Sequence, residues 1–403
     1  MKVRIADGVD ISLNKELMLK VSLCIVWASM ASMYLRGVLN RFPAFSDYID
    51  GIEIAYFAIP ILLATPAWLN RFCLFDYLFY FLNVFYLLAC YAFFPENSAY
   101  LDENALICIF CVFSYYYVGK LVVIEKFYNV FIFLSTMCIL MDLFYFLVYA
   151  PQHRLMAEVA KEDNMWSAYQ LLPHVMMLLW TTLEKVRIWK ILVLGAGILF
   201  LLSCGTRGPL ACLGFFGVIY FFFFMNFKGA IYVKSGIVII FILIAIYLES
   251  VIMYLARTFI GLELSTRVLE KAVAGEMGDD SSRSLLRAKL EYIMSTGNHF
   301  WGPGAFGCRN YDIIYPHFLP LDFVCTFGYV LGSILLVLLF GLIGVAFWAS
   351  RGTRTQVFIL FLFTLGIIKL FLSNTFLMEP YFYMLIGVCI KEVLNYRKCL
   401  LRK

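Results

Sequence analysis

Charged residues are scarce in this chain. Only 15% of its 403 residues are Asp, Glu, Lys or Arg, whereas 63% are hydrophobic and 18% are aromatic. A soluble domain carries about 25% charged and about 45–50% apolar residues. A water-soluble fold of this length cannot bury so large an apolar excess, because much of its surface stays exposed. Soluble globular, disordered and fibrous classes are therefore excluded.

The apolar segments also lack the alternation of polar and apolar residues that marks outer-membrane strands. They are unbroken runs near the length of about 20 residues that a helix needs to cross a bilayer. The sequence therefore predicts an all-α polytopic integral membrane protein with about 12 transmembrane helices. The predicted spans are 17–35, 52–69, 77–94, 105–124, 127–149, 166–184, 188–204, 210–227, 235–255, 321–348, 357–376 and 380–394.

Metal and disulfide patterns are lacking as well. Most of the 12 cysteines lie inside apolar runs, where a thiol behaves as a small hydrophobic group. We therefore predict no disulfide framework, no metal site and no cofactor. The net charge of +5 gives no reason to expect nucleic acid binding. The mixed polar segment 1–16 leads into a full-length span, which predicts that no signal peptide is cleaved.

The positions of the basic residues predict the orientation. With the N-terminus in the cytoplasm, nineteen of the 32 Lys and Arg residues lie at cytoplasmic ends and five lie in short outer loops. This asymmetry is the positive-inside pattern. Both termini are therefore predicted to be cytoplasmic.

One connection is longer and more polar than the others. The stretch 256–318, between the ninth and tenth predicted spans, has 63 residues, and loops beyond about 12–15 residues are usually functional or disordered. Apolar spacing within 265–275 and within 286–293 predicts two helices. Acids and serines before the second helix, and Gly297 after it, are start and stop signals. We predict a single membrane domain, 1–403, with this partly helical outer loop inserted.

Two arginines lie one turn apart on the second of these helices. Arg283 and Arg287 are followed after four more residues by Glu291. A guanidinium group binds phosphate through two hydrogen bonds and keeps its proton there, so the pair suits a phosphate clamp. The alternative is that both are solvated helix charges, or that Arg287 pairs with Glu291.

A third arginine, Arg207, lies in the short joint Gly-Thr-Arg-Gly-Pro at 205–209, between two predicted spans. The flanking glycines allow the backbone to approach a ligand closely. An arginine at this depth is costly unless it finds an anionic partner, so Arg207 is a candidate for anion binding. The alternative is an anchor that extends to the interface.

The end of the outer loop and the interior of the spans carry further candidates. The turn Gly302-Pro303-Gly304 precedes His317, whose imidazole could act as a base, contact an oxyanion or form an ordinary hydrogen bond. Ionisable residues inside spans are expected to face the bundle interior. These are Asp142, His174, Glu249 and Lys369. Lys369 could join a phosphate site or pair with a carboxylate.

Taken in order, these motifs resemble the O-antigen polymerase and O-antigen ligase superfamily of bacterial inner membranes. The segment 205–208 is similar to the family's Ser/Thr-Arg-Gly signature. The outer-loop helix that Arg283 leads, followed by the glycines of 302–304, is similar to its Arg-led helix and Gly-x-Gly turn.

The resemblance continues beyond the outer loop. His317, eleven residues before Gly328, resembles the His-Asn that precedes a family span, although Phe318 stands where the family often has Asn. The segment 373–382 is a weaker match to the last two family helices. The resemblance covers roughly residues 200–390.

The resemblance implies a glycosyltransferase that polymerises undecaprenyl-diphosphate-linked oligosaccharide repeat units at the outer face of the cytoplasmic membrane. The product would be O-antigen, as part of lipopolysaccharide, or capsular polysaccharide. An acceptor sugar hydroxyl attacks the donor anomeric carbon, and the lipid diphosphate leaves. No metal is implied. A chain-length regulator and a flippase of the same pathway are the implied partners.

The resemblance also implies roles for the candidate residues. Arg207 and Arg283 would stabilise the leaving diphosphate, Arg287 would bind it, and His317 would accept the hydroxyl proton or orient the diphosphate. Weaker candidates for diphosphate binding are Arg36, Arg41, Lys369, Gly302 and Gly304.

Two other functions stay open at this point. A ligase would transfer finished glycan to the lipid A core, and the aromatic-rich spans favour a polymerase over it. A flippase or transporter would suit twelve spans. However, no internal repeat is visible in the sequence, and a flippase has little use for a structured outer loop.

Overall fold

The computed structural model describes most of the chain between residues 72 and 400. The described residues are 2–6, 9–12, 72–148, 161–204, 206–225, 281–296 and 301–400, with single positions between 20 and 59. The predicted spans 17–35, 52–69 and 235–255 and the predicted loop helix at 265–275 lie wholly or mostly outside the described residues.

Helices make up almost all of the described chain. They are α1 Leu74–Phe93, α2 Ser98–Phe110, α3 Tyr116–Leu121, α4 Ile124–Val148, α5 Lys161–Glu184, α6 Ile188–Ser203, α7 Arg207–Ile219, α8 Ser281–Thr296, α9 Leu319–Ala349, α10 Arg354–Phe363 and α11 Pro380–Leu400. The π-helical turns Cys111–Tyr115, Tyr220–Phe224 and Thr364–Ile368 continue α2, α7 and α10, and short 3-10 turns cover Pro95–Asn97, Gly307–Tyr311, Lys369–Phe371 and Phe376–Met378. The predicted helical class is confirmed in these parts.

The N-terminal residues form a small hairpin that was not predicted from the sequence. Strand β1, Lys2–Ala6, pairs antiparallel with β2, Val9–Ser12. Lys2 lies opposite Ser12, and the register shifts between Arg4 and Ala6.

Six described helical segments are long and apolar enough to cross a membrane. They are Leu74–Phe93, Pro95–Leu121, Ile124–Phe144, Arg207–Phe224, Leu319–Ala349 and Arg354–Phe371. Each overlaps one predicted span, and α5, α6 and α11 overlap three more. Of these three, α6 is apolar over the shorter segment Ile188–Leu202. A helical membrane protein is therefore supported, while the total of 12 spans stays a prediction.

The chain divides into two compact units. Unit 1 comprises Met1–Arg36, Pro43–Phe127 and Leu285–Lys403, and unit 2 comprises Gly37–Phe42 and Tyr128–Ser284. The predicted single membrane domain with an outer loop at 256–318 stays a prediction.

Glycines allow the central helices of unit 1 to touch through their backbones. A Cβ atom at Gly119 of α3 would lie 3.0 Å from the backbone nitrogen of Val388 on α11. Likewise, a Cβ at Gly387 of α11 would lie 3.0 Å from the nitrogen of Lys120. Small residues at such crossings are typical of helix association in membranes, where close van der Waals packing replaces the hydrophobic effect.

Contacts at two places in unit 1 agree with predicted spans that cross the membrane in alternating directions. At the end predicted to be cytoplasmic, the Lys120 ammonium lies 2.8 Å from the buried Asp76 carboxylate, and Lys391 donates to the Val122 carbonyl. At the other end, the Asn97 amide donates to the Pro303 carbonyl at 2.7 Å. Residues predicted to share one membrane side therefore meet, although the side that faces the cytoplasm stays a prediction.

In unit 2, α6 and α7 both pack against α5. Gly197 of α6 lies against Val175, where a Cβ atom added to the glycine would lie 2.8 Å from the valine Cγ2. Gly217 of α7 lies against Leu179 in the same way, at 3.2 Å. The side chains of α5 therefore fill the space above these glycines, so α6 and α7 pack closely against α5.

Helix α9 bends where the outer-loop segment packs against it. Gly328 has φ 79° inside the helix, so the hydrogen-bond ladder is interrupted there. Gly302, with φ 67°, lies on this bend, and a Cβ atom would come within 2.8 Å of the Val324 carbonyl oxygen. Close approach and left-handed backbone both require glycine at residue 302.

We expect Gly302→Ala to destabilise the protein by about 2 kcal/mol or more, since alanine is strained at this φ and overlaps α9. Gly341→Ala on the same helix is the matched control, because nothing lies within 4 Å of its Cβ position. Thermal unfolding of the purified variants in detergent measures the difference. Equal melting temperatures for the two variants would contradict the packing described for Gly302.

Candidate functional site

Helix α8 is held in place by its apolar face. Leu290, Ile293 and Met294 form one buried cluster with residues of the following loop and of α9, including Ile313 and Val324. The predicted second loop helix is therefore confirmed, ending at Thr296 just before Gly297. Its packing shows that this part of the predicted outer loop is a folded structure.

The predicted phosphate clamp lies on α8. Arg283 is in its first turn, and Arg287 follows one turn later. The backbone of both residues is described, but their side chains lie outside the described part of the structure. Arg36 and Arg41 also lie outside the described residues.

Arg207 is the first residue of α7. Thr206 precedes it with extended backbone, at φ −111° and ψ 128°, and its side chain does not cap the helix. No acidic residue lies in the first turn. The free N–H groups and the dipole make a helix N-terminus positive, so the start of α7 favours an anion.

The surroundings of Arg207 add two further polar groups. The buried Thr206 hydroxyl has no hydrogen-bond partner among the described residues. Gly208 leaves room for the Tyr169 hydroxyl of α5, which any Cβ atom at residue 208 would overlap. Pro209 contributes no N–H, so Arg207 and Gly208 provide the first donors of the helix. The Tyr169 phenol, the Thr206 hydroxyl and the amides of Arg207 and Gly208 thus lie at the start of α7.

The loop that follows α8 is tied to the start of α2 through Asn97. Its fully buried amide donates to the carbonyls of Pro303, at 2.7 Å, and Ala305, at 3.2 Å, and its oxygen accepts from Asn310. Gly304, with φ 80°, lies against the ring of Phe94. Packing within the protein therefore accounts for glycine at residues 302 and 304. A ligand-binding role for these two residues stays a prediction.

His317 lies where this loop enters α9. Its backbone is left-handed, at φ 52°, which is uncommon for a residue with a side chain. Its Nδ1 lies 3.3 Å from the carbonyl oxygen of Leu372, and its ring lies 4.4 Å from that of Tyr315. Because a carbonyl can only accept, this contact is a hydrogen bond when Nδ1 carries the proton.

Lys369 pairs with a carboxylate, one of the two roles that the sequence left open for it. Its ammonium lies 2.7 Å from Oε2 of Glu379, and the same oxygen accepts from the Asn374 amide at 2.9 Å. Glu379 is fully buried, whereas 13% of the Lys369 side chain is exposed. A buried carboxylate without this partner would be costly, so the pair fixes the segment between α10 and α11.

Asp322 ties the same segment to α9. Its buried carboxylate accepts from the Thr375 hydroxyl at 2.8 Å and from the Phe376 backbone nitrogen at 3.0 Å. Phe318, where the resemblance would favour Asn, packs its ring edge-on against Phe371. The carboxylate of Asp322 and the ring of Phe318 therefore hold the start of α9 against the segment that carries Lys369.

The structure brings some of the predicted residues together. Within unit 1, His317 contacts the turn that begins at Lys369. Arg207 belongs to unit 2. The polar residues that organise these contacts were not identified from the sequence, namely Asn97, Asp322, Asn374 and Glu379. The sequence Glu379-Pro380, an acid directly before the first residue of a helix, was one signal for the last of them.

We expect the Lys369–Glu379 pair to show energetic coupling. Lys369→Met and Glu379→Gln should each cost about 3 kcal/mol of stability, because each leaves a buried group without its partner. The double variant should recover at least about 1 kcal/mol of the summed loss. Chemical unfolding of the purified proteins measures all three.

The exposed pair of Lys289 and Asp312, whose charged atoms lie 3.8 Å apart, is the control. Lys289→Met should cost less than about 1 kcal/mol, since water screens this pair. If the double variant loses as much stability as the Lys369→Met and Glu379→Gln variants lose together, the coupling is contradicted.

Among the described residues, two polar sites contain candidates from the sequence: the start of α7 in unit 2, and the contact between His317 and the Lys369 turn in unit 1. No protein-family model, curated protein or solved structure matches this chain.

Proposed function

We propose that this protein polymerises oligosaccharide repeat units carried on undecaprenyl diphosphate, at the outer face of a bacterial cytoplasmic membrane. It belongs, on this proposal, with the O-antigen polymerases and ligases that its motifs resemble. The glycan donor reaches the site within the membrane, so the enzyme takes no nucleotide sugar. A flippase that supplies the donor and a regulator of chain length are its pathway partners.

The observation that carries this proposal is the position of Arg207 at the N-terminus of α7. The helix dipole and the amides of Arg207 and Gly208 favour an anion at the start of α7, where the chain also carries the cationic side chain of Arg207. The buried hydroxyl of Thr206, which has no partner among the described residues, offers one more donor. A diphosphate carries several acceptor oxygens, and its lipid chain keeps it at the membrane boundary, where α7 begins on the predicted topology.

The chemistry explains why fixed cations are useful there. When the acceptor oxygen bonds to the anomeric carbon, the bond from that carbon to the diphosphate oxygen breaks, and negative charge collects on the leaving group. Cations and amides already in place stabilise this charge without reorganising. Arg207 is assigned this role, and the resemblance implies diphosphate contacts for Arg283 and Arg287 as well. The reaction requires no metal ion.

His317 is assigned as the base that accepts the acceptor hydroxyl proton. A hydrogen bond from Nδ1 to the Leu372 carbonyl places the proton on Nδ1 and the lone pair on Nε2, which is the tautomer that a base acting through Nε2 requires. The left-handed backbone of His317 supports this role, since strained conformations cluster at functional sites. Lys369 is assigned a positioning role, because its charge is balanced by Glu379.

Product analysis distinguishes this proposal from its two rivals. A ladder of repeat lengths supports a polymerase, whereas a single transfer to lipid A core supports a ligase. For the transport rival, the test is Arg207→Ala in cells. Single repeat units that accumulate unpolymerised at the outer face support an enzyme, and their absence from the outer face supports a flippase.

We expect Arg207→Lys and Arg283→Lys to lose most of the polymerising activity, because an ammonium group cannot form the two parallel hydrogen bonds of a guanidinium. Arg351→Lys is the matched control, since Arg351 is exposed and lies over the Trp348 ring at the opposite end of α9. Polymer length on gels, at equal protein levels, is the measurement. Full-length polymer from both site variants would exclude the clamp.

We also expect the purified enzyme to stay active in the presence of a chelator, since arginines are assigned the charge stabilisation that a metal supplies elsewhere. Turnover of a lipid-diphosphate repeat unit is measured with and without EDTA. A loss of turnover that magnesium restores would contradict the metal-independent mechanism.

A further inference from the structure

Three basic residues lie close together in the chain where α5 is followed by α6 in unit 2. Helix α5 ends at Glu184 and α6 begins at Ile188. Lys185 and Arg187 lie between the two helices and are exposed, and Lys190 lies in the first turn of α6. We call Lys185, Arg187 and Lys190 the basic corner. On the predicted topology, it lies at the cytoplasmic boundary of the membrane.

Lys190 is buried although it carries a charge. Only 6% of this residue is exposed, and its ammonium donates to the Thr181 carbonyl of α5 at 2.8 Å. The same carbonyl accepts from the Lys185 nitrogen at 3.1 Å, so Lys190 caps the end of α5. An ammonium has three donors, and this carbonyl is its one hydrogen-bond acceptor among the described residues. A buried ammonium in this state is costly unless an anion lies nearby.

The basic corner holds more positive than negative charge. Glu184 is the adjacent acid, and its carboxylate accepts from the Tyr128 hydroxyl of α4. Within the described parts of the chain, no carboxylate oxygen lies within 4 Å of the charged nitrogens of the basic corner. Glu184 therefore offsets at most one of the three charges.

The start of α6 adds backbone donors at the same place. Arg187 precedes the helix with extended backbone and no side-chain cap, and no acid lies in the first turn. The first N–H groups of a helix have no partner within it, and the dipole makes this end positive. Side chains lean toward the N-terminus of a helix, so Lys190 extends back over this turn. The geometry and the charge both suit a phosphate group.

Exposed apolar side chains adjoin the basic corner. The Trp189 ring is 40% exposed, and its centroid lies 5.9 Å from the Lys190 ammonium. Ile188 and Leu192, one turn apart, are 78% and 68% exposed. Gly195 follows on the same face, with nothing within 4 Å of its Cβ position. Tryptophan is enriched at membrane interfaces, and this apolar face suits the acyl chains of a lipid rather than a soluble anion.

We propose that the basic corner binds the phosphate of an anionic phospholipid, whose acyl chains lie along the exposed face of α6. The Arg187 guanidinium can donate two parallel hydrogen bonds to this phosphate, and the charge of Lys190 is balanced by it. Basic pockets at helix ends on the cytoplasmic side of a membrane are typical sites for anionic headgroups. The site is separate from the start of α7, so the proposal does not depend on the proposed polymerising activity.

Native mass spectrometry of the full chain, purified in a neutral detergent and titrated with cardiolipin, tests the site. The double variant Lys185→Gln with Arg187→Gln should bind cardiolipin about tenfold more weakly or worse, since it removes two of the three cations.

The matched control is Arg351→Gln with Arg354→Gln, in the corner between α9 and α10. Both arginines are exposed and predicted to be cytoplasmic, and Arg351 lies over the Trp348 ring. This corner has no lysine. The control should change the affinity by less than about twofold, because positive charge at the membrane boundary is not by itself a site.

Thermal unfolding gives a second readout. Cardiolipin should raise the melting temperature of the wild-type protein by about 2 °C or more, since a ligand that binds the folded state stabilises it. Zwitterionic phosphatidylcholine and inorganic phosphate should not raise it, and cardiolipin should not raise that of the Lys185→Gln, Arg187→Gln variant.

Three results would overturn the proposal. One is an equal loss of cardiolipin affinity in the two double variants, which indicates general attraction to basic ends. Another is wild-type affinity in the Lys185→Gln, Arg187→Gln variant. The third is an equal rise in melting temperature with inorganic phosphate or phosphatidylcholine, which indicates a site for a soluble anion or for any lipid.

Discussion

The cost of a charge without a partner inside an apolar bundle governs how this protein is built. A carboxylate or ammonium that loses water must gain an opposite charge and hydrogen bonds in return. Asp76 meets this requirement with Lys120, Tyr116 and Cys73, and Glu379 meets it with Lys369 and Asn374. Because each pair joins different helices or turns, satisfying the charge also fixes how those segments pack.

The same constraint accounts for the positions of two lysines. Lys120 and Lys369 have carboxylates within 3 Å, at 2.8 and 2.7 Å, and this accounts for their positions inside the protein. Arg207 is the first residue of α7, at a helix N-terminus, which favours an anion. On the proposed function, that anion is the lipid diphosphate.

Local features of the sequence were enough to predict several elements. The six apolar segments overlap predicted spans, because their length and composition are local properties. Helix α8 begins near the serines at 281–282 and ends before Gly297, since caps and glycine act within one turn. The flanking glycines and Pro209 drew attention to Arg207 as a candidate for anion binding. The structure places this residue in the first turn of α7.

Contacts across the fold could not be predicted in this way. Asn97 binds carbonyls more than 200 positions away, at Pro303 and Ala305, and only the packed structure brings them together. Glu379 lies ten positions after Lys369, but an irregular turn separates them, so helical spacing did not pair them. The left-handed backbone of His317 likewise depends on the packing of its loop against α9.

Reconstitution is the most direct test of the central claim. The purified full-length protein is placed in vesicles with a synthetic repeat unit on undecaprenyl diphosphate, and both glycan length and released lipid diphosphate are followed with time. The account predicts a ladder of products, with one lipid diphosphate released for each unit added. Repeat units that cross the bilayer without chain growth, or that stay unchanged with no lipid diphosphate released, would contradict it.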